Sequence, residues 1–84
     1  MRERGAPWET KALQELLRDL RLAADLRQED VAERLGVPQS FVSKYELGDR
    51  RLDLFEIRCL CRLFGISLPR FVAMLEDKLM KAKP

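Results

Sequence analysis

Leucine and other apolar residues recur along this chain at three- and four-residue steps with charged residues between them, a helical period. Leu13, Leu16, Leu17, Leu20 and Ala24 mark a first amphipathic helix. A second runs from Gln28 to Leu35, with Val31, Ala32 and Leu35 on its apolar side, and Gly36 can adopt a left-handed backbone that ends it. Pro38 suits the first turn of a third helix that reaches about Leu47, where Gly48 closes it. Asp53 and Glu56 stand at capping-box spacing, so a fourth helix begins at Asp53 and buries Leu54, Ile57, Cys61 and Phe64 before Gly65. Ser67, Leu68 and Pro69 form another helix start, and Phe71, Val72, Leu75 and Leu79 follow at helical spacing. The two-residue alternation of a β-strand persists nowhere. The pattern predicts an all-α, compact five-helix domain over residues 10–80, preceded by a flexible arm at 1–9 and followed by a frayed tail at 81–84. Trp8 is expected to fold back onto the domain as a satellite of its core.

Residues 28–48, QEDVAERLGVPQSFVSKYELG, carry the strongest functional signal. Ala32, the turn residue Gly36 and the apolar anchors Val42 and Tyr45 have the spacing that lets one short helix cross closely over another. That geometry presents the second helix to the DNA major groove. At 100° per residue, with Val42 and Tyr45 inward, Ser40, Lys44 and Leu47 point away from the protein. Ser43 and Gln39 lie on one flank and Phe41 on the other. Gln pairs with adenine, Lys suits guanine or phosphate, and Ser fills either role. Gln28 opens the second helix, whose free N–H groups can meet a phosphate oxygen. Arg50 and Arg51 follow Gly48 and suit a backbone clamp. Arg27 stands where Ser or Thr would cap the second helix, a loss of ~1 kcal/mol.

Composition narrows the function further. The chain has 84 residues and a formal net charge of only +2, so nucleic-acid binding must rest on local placement of cations. Histidine is absent, which removes the usual general base and the commonest metal ligand. No nucleophile–base pair or phosphate loop is recognisable, so the reading is not that of an enzyme, and no cofactor or metal is expected. Cys59 and Cys61 diverge on one helix, which disfavours a bridge between them and fits reduced thiols in a cytoplasmic protein. No apolar run approaches the length of a membrane span.

The stretch from Leu17 to Leu68 resembles the phage-repressor/Cro-type, or Xre, helix-turn-helix family. The resemblance rests on LRDLRLAADL, RQEDVAERLGVPQSFVSKYELGDRR and LFEIRCLCRLFGISL. It implies a lambda-repressor-like fold in which Gln28 and Gln39 form a glutamine pair at the first base contacted. It further implies that Ser40, Ser43 and Lys44 read bases and phosphates, and that Phe41 meets a thymine methyl. Arg21 and Glu46 would form an internal ion pair with a structural role. Against the family pattern, Asp25 replaces a glycine at the end of the first helix, and Leu52 stands where proline is common. Cys61 occupies a position usually held by alanine, in keeping with a small buried residue.

These readings converge on a sequence-specific, double-stranded DNA-binding transcriptional regulator, a repressor or autoregulator, with helix 39–47 in the major groove. Its contact residues are Gln28, Gln39, Ser40, Phe41, Ser43, Lys44, Arg50 and Arg51. The family implies a homodimer on an inverted-repeat operator, and a restriction system or a toxin partner fits the same class. Leu63, Met74, Leu79 and Met80 form an apolar surplus assigned to a dimer through the fourth and fifth helices and the arm. The alternative is a protein-interaction adaptor that uses the same fold without specific DNA binding.

Overall fold

Helix ends determine this architecture as much as helix faces do. A computed structural model describes residues 5–84. Among them are five helices: α1 (Pro7–Ala23), α2 (Gln28–Leu35), α3 (Gln39–Leu47), α4 (Leu54–Phe64) and α5 (Leu68–Ala82). The start of α4 is a closed capping box: Asp53 accepts from the Glu56 N–H at 2.8 Å, and Glu56 accepts from the Asp53 N–H at 2.8 Å. Ser67 caps α5 by accepting from the Arg70 N–H at 3.2 Å. Gly36, Gly48 and Gly65 end the three central helices in the left-handed region, as the spacing predicts.

The first helix departs from expectation at its start. Pro7, Trp8 and Glu9 belong to its first turn rather than to an arm. Proline is preset for that position, and the Glu9 carboxylate accepts from the Ala6 N–H at 2.7 Å. Residues 1–4 of the expected arm lie outside the described residues. Trp8 is half-buried, but it is neither in the core cluster nor among the residues packed against it. At the other end of α1, Asp25 sits at φ 59°, a conformation that costs an L-residue ~1–2 kcal/mol. The turn is pinned nonetheless: the Leu26 N–H donates to the Arg21 carbonyl at 3.1 Å, and the Arg21 guanidinium donates to the Leu26 carbonyl at 2.9 Å. The tail is also shorter than expected, because α5 continues to Ala82.

Helix α1 packs against α5 and α3, α2 lies on α3, and α4 closes the group against α1, α2 and α5. The core is built from Leu16, Leu17 and Leu20 of α1, Val31 and Ala32 of α2, Val42 and Tyr45 of α3, Leu60, Cys61 and Phe64 of α4, and Phe71 of α5. Two expected core residues are exposed instead. Leu54 is 61% exposed and Leu60 takes its place. The buried arc of α4 is centred between Ile57, Leu60, Cys61 and Phe64, and Leu54 falls about 70° from that centre on the first position of the helix. Val72 is likewise displaced to the edge of the α5 stripe and is exposed. Of the four residues assigned to a dimer surplus, Leu63 and Met74 pack on the core, Leu79 is half-buried, and only Met80 is exposed.

Candidate nucleic-acid interface

The crossing of α2 over α3 is close because the residues between them are small or fully enclosed. Ala32 from α2 and Val42 and Tyr45 from α3 are all buried. This leaves the opposite face of α3 to solvent. Gln39, Ser40 and Lys44 are exposed, Ser43 and Phe41 are half-buried, and Leu47 is largely exposed, as helical geometry requires.

A row of hydrogen bonds runs from the core to the first of these residues. Arg21 on α1 is buried and pairs with Glu46 on α3, its Nε donating at 2.7 Å and its Nη2 at 3.0 Å. The hydrogen bond to Glu46 raises the Arg21 pKa above its ordinary value. Glu46 Oε1 also accepts from Gln28 Nε2 at 3.0 Å, and Gln28 Oε1 accepts from Gln39 Nε2 at 3.0 Å. The direction of this row follows from chemistry. An ionised carboxylate only accepts, so Gln28 must turn its NH2 toward Glu46 and its oxygen toward Gln39. Gln39 is then left with a free carbonyl oxygen and a free N–H side by side. That acceptor–donor pair complements the N6 donor and N7 acceptor of adenine in the major groove.

The loop beyond α3 is held differently. Arg50 donates to both Glu56 oxygens, at 3.0 and 3.3 Å, and to the Arg51 carbonyl at 2.9 Å. Its Cζ lies 4.0 Å over the Phe41 ring, a cation–π geometry, and that ring meets Tyr45 edge-on at 6.0 Å. The Arg50 hydrogen bond pulls the Glu56 carboxyl below its ordinary pKa. Arg50 and Phe41 are thus engaged with the protein, a contact that the position of Arg50 after Gly48 did not reveal. Arg51, Lys44 and Ser40 are exposed and have no side-chain partner among the described residues.

Two further features stand outside the expectations drawn above. Arg27 reaches Asp30 at 3.1 and 3.2 Å, and Asp30 accepts from the Arg27 N–H at 2.8 Å. The acidic residue at the third position of α2 thereby offsets the missing cap, and the three-residue spacing was its signal. Tyr45 is buried with its hydroxyl unpartnered, and burial raises its pKa well above the ordinary phenol value. Cys61 is buried and its thiol pKa is likewise raised by burial, while Cys59 is exposed. No described helix is long and apolar enough to cross a membrane.

Comparison with known proteins agrees with this geometry. A family model described as Helix-turn-helix matches residues 17–71, more than half of the chain. The chain is 33% identical over 70 residues to the cryptic phage CTXphi transcriptional repressor RstR of Vibrio cholerae. That match covers 80% of this chain but 63% of the relative, so the chain spans under two-thirds of that protein's length. A solved XRE-family like protein from Pseudomonas syringae pv. tomato str. DC3000 is 43% identical, with a TM-score of 0.76 over 82% of this chain and 84% of the other. The family is one of DNA-binding regulators rather than of enzymes. On the match over residues 17–71 and its likeness to the solved XRE-family like protein, this chain belongs to the Xre-type helix-turn-helix family.

Proposed function

We propose that this chain is a sequence-specific regulator of transcription, a repressor or autoregulator, that inserts α3 into the major groove of an inverted-repeat operator. The observation that carries the reading is the Arg21–Glu46–Gln28–Gln39 row, which holds one base-complementary amide at the exposed start of α3. Ser40, Ser43 and Lys44 continue the reading surface along the same helix. Gln28 and Arg51 meet phosphates on either side, and Arg50 with Phe41 sets the attitude of the loop that carries Arg51. The name of the phage repressor relative supports the regulatory role.

The functional unit is a homodimer in the cytoplasm, with half-site centres about one helical turn, ~34 Å, apart. Leu54 and Phe55 at the start of α4 and Val72 and Met80 on α5 are the exposed apolar residues available to it. Light scattering at high micromolar concentration tests the dimer, and a monomer there would refute it.

Selection of bound fragments from random duplex DNA is the direct test. It should return paired half-sites with a common spacing. Lys44→Ala should cost ~1–3 kcal/mol on the selected site if it reads a base edge. Arg51→Ala should weaken all sequences alike and flatten the log-affinity against log-salt slope by about 1. For two subunits neutralising about four phosphates each, the parent slope is near −7. Unchanged duplex binding in the Lys44→Ala/Arg51→Ala double variant would sink this assignment, and no duplex retention even at low salt would favour an adaptor role instead.

A further inference from the structure

Behind the reading surface, α1, α5 and the loop after α3 enclose a cleft of about 380 Å³, within the size range of small-molecule sites. Its apolar wall is leucine, with Leu13 and Leu17 from α1, Leu52 from the loop and Leu75 and Leu79 from α5, while Glu9, Thr10 and Arg50 add polar groups to the lining. Tyr45 also lines it, and the Tyr45 hydroxyl is the one buried side-chain polar atom without a hydrogen-bond partner among the described residues. A phenol can give up that bond only at a penalty of ~1–3 kcal/mol, and phenylalanine would fill the same space without it. Arg51 and Gln14 stand at the same cleft, and Gln14 lies directly against Gly48. The site therefore joins an apolar interior, an unused donor and the loop that follows α3.

We propose that this cleft binds a small, mostly apolar molecule bearing one acceptor oxygen, a carbonyl or a carboxylate, which takes the bond from the Tyr45 hydroxyl. Gln14, half-exposed, moves aside to admit it. Because Gly48, Arg51 and Leu52 also line the cleft, an occupant changes the position of Arg51 and so the affinity for DNA. Only this coupling rests on the DNA reading; the binding itself does not.

The test uses the full chain and three probes of one skeleton: acetophenone, benzoate and ethylbenzene, the last with no acceptor. In a nitrogen–proton NMR titration, acetophenone and benzoate should shift the signals of Gln14, Gly48, Leu52 and Leu75 in a saturable way. Each should bind roughly three- to tenfold tighter than ethylbenzene, the worth of one neutral hydrogen bond. Benzoate exceeding acetophenone, with the excess lost in Arg51→Ala, would identify a carboxylate as the preferred head group; equal affinities would identify a carbonyl. Tyr45→Phe should erase the advantage over ethylbenzene and leave the melting temperature unchanged or higher. Leu75→Trp should fill the cleft and abolish all three titrations. No saturable shift at millimolar probe overturns the site, as does equal affinity for all three probes or an unchanged preference in Tyr45→Phe. Saturating acetophenone should change duplex affinity threefold or more; binding without that change overturns the coupling. Failure of the chain to bind duplex without any probe would instead count against the DNA reading, and the titration results would stand.

Discussion

Two guanidinium–carboxylate pairs flank the exposed face of α3, Arg21–Glu46 behind it and Arg50–Glu56 in the loop that follows. Their geometry is nearly the same, with closest contacts of 2.7 and 3.0 Å and two donor–acceptor bonds each. Their surroundings differ: the side chains are 9% and 5% exposed in the first pair but 37% and 30% exposed in the second. Contact distance alone would rank them as equals. Solvent decides otherwise, because an exposed pair exchanges one well-hydrated state for another, whereas a buried one cannot lose a partner without stranding a charge. The first pair therefore belongs to the fold and the second to the adjustment of one loop.

The largest expected effect breaks the buried pair. Arg21→Ala should cost ~3–5 kcal/mol, read as a fall in the urea midpoint, because Glu46 is left charged and enclosed. Replacing both residues, in Arg21→Met/Glu46→Leu, should restore much of that stability while still removing the anchor of Gln28. A loss below ~1 kcal/mol in Arg21→Ala would put both pairs in the same class.

Next comes the turn between the two pairs. Gly48 sits at φ 88° and a Cβ there would run into the Gln14 side chain. Gly48→Ala should destabilise by about 1–2 kcal/mol from backbone strain, with a further share from Gln14 that Gln14→Ala relieves. Equal losses with and without Gln14→Ala would remove that contact from the account.

A smaller effect is expected at the exposed pair. Arg50→Ala should cost up to ~1 kcal/mol for the ion pair and a similar amount for the Phe41 stack. The ion-pair share should shrink in 1 M salt. It should also depend on acid in a set direction. The folded pKa of Glu56 is lowered, so its contribution is complete above the ordinary value of 4.5 and disappears as pH falls through the folded value. The difference in unfolding midpoint between parent and Arg50→Ala should therefore be smaller at pH 3 than at pH 7. A difference that grew in acid would contradict the pairing.

The smallest effect reports on how far the buried pair extends its support. Asp25→Gly should stabilise the parent by a few tenths to about 1 kcal/mol, by removing left-handed strain. The gain should be larger in an Arg21→Ala background, where the Leu26 carbonyl has lost its donor. Strict additivity in that double-mutant cycle would separate the turn from the pair.

These contrasts also explain what could be read from the residues alone. Helix positions and their stops were legible because Asp53, Ser67, Gly36, Gly48 and Gly65 act through the backbone nearest to them. Leu54 was misplaced because a stripe of 3.6-residue period gives the angle of its edge but not how far a neighbouring helix reaches along it. The outward row of Gln39, Ser40 and Lys44 followed from the same angular arithmetic, applied to a helix whose buried side was clear. Arg21–Glu46 was available only through family resemblance, since residues 25 positions apart leave no periodic trace. The engagement of Arg50 left no trace in the residue pattern for a related reason: its partners Phe41 and Glu56 lie on different helices, and a loop sets their distance. The unpartnered Tyr45 hydroxyl left no signal, because a tyrosine and a phenylalanine are the same residue to a hydrophobic pattern.

The row that ends at Gln39 has a consequence for the timing of recognition. Ordering a free glutamine side chain costs up to ~1.5–2 kcal/mol of rotamer entropy, ordinarily charged at the moment of docking. Here the side chains of Gln28 and Gln39 are restrained when the domain folds, so that cost falls on the stability of the protein and not on the encounter with DNA. Under the proposed docking of α3, a correct site and an incorrect one would meet the same preset amide, and the difference between them would be expressed as how long each complex lasts.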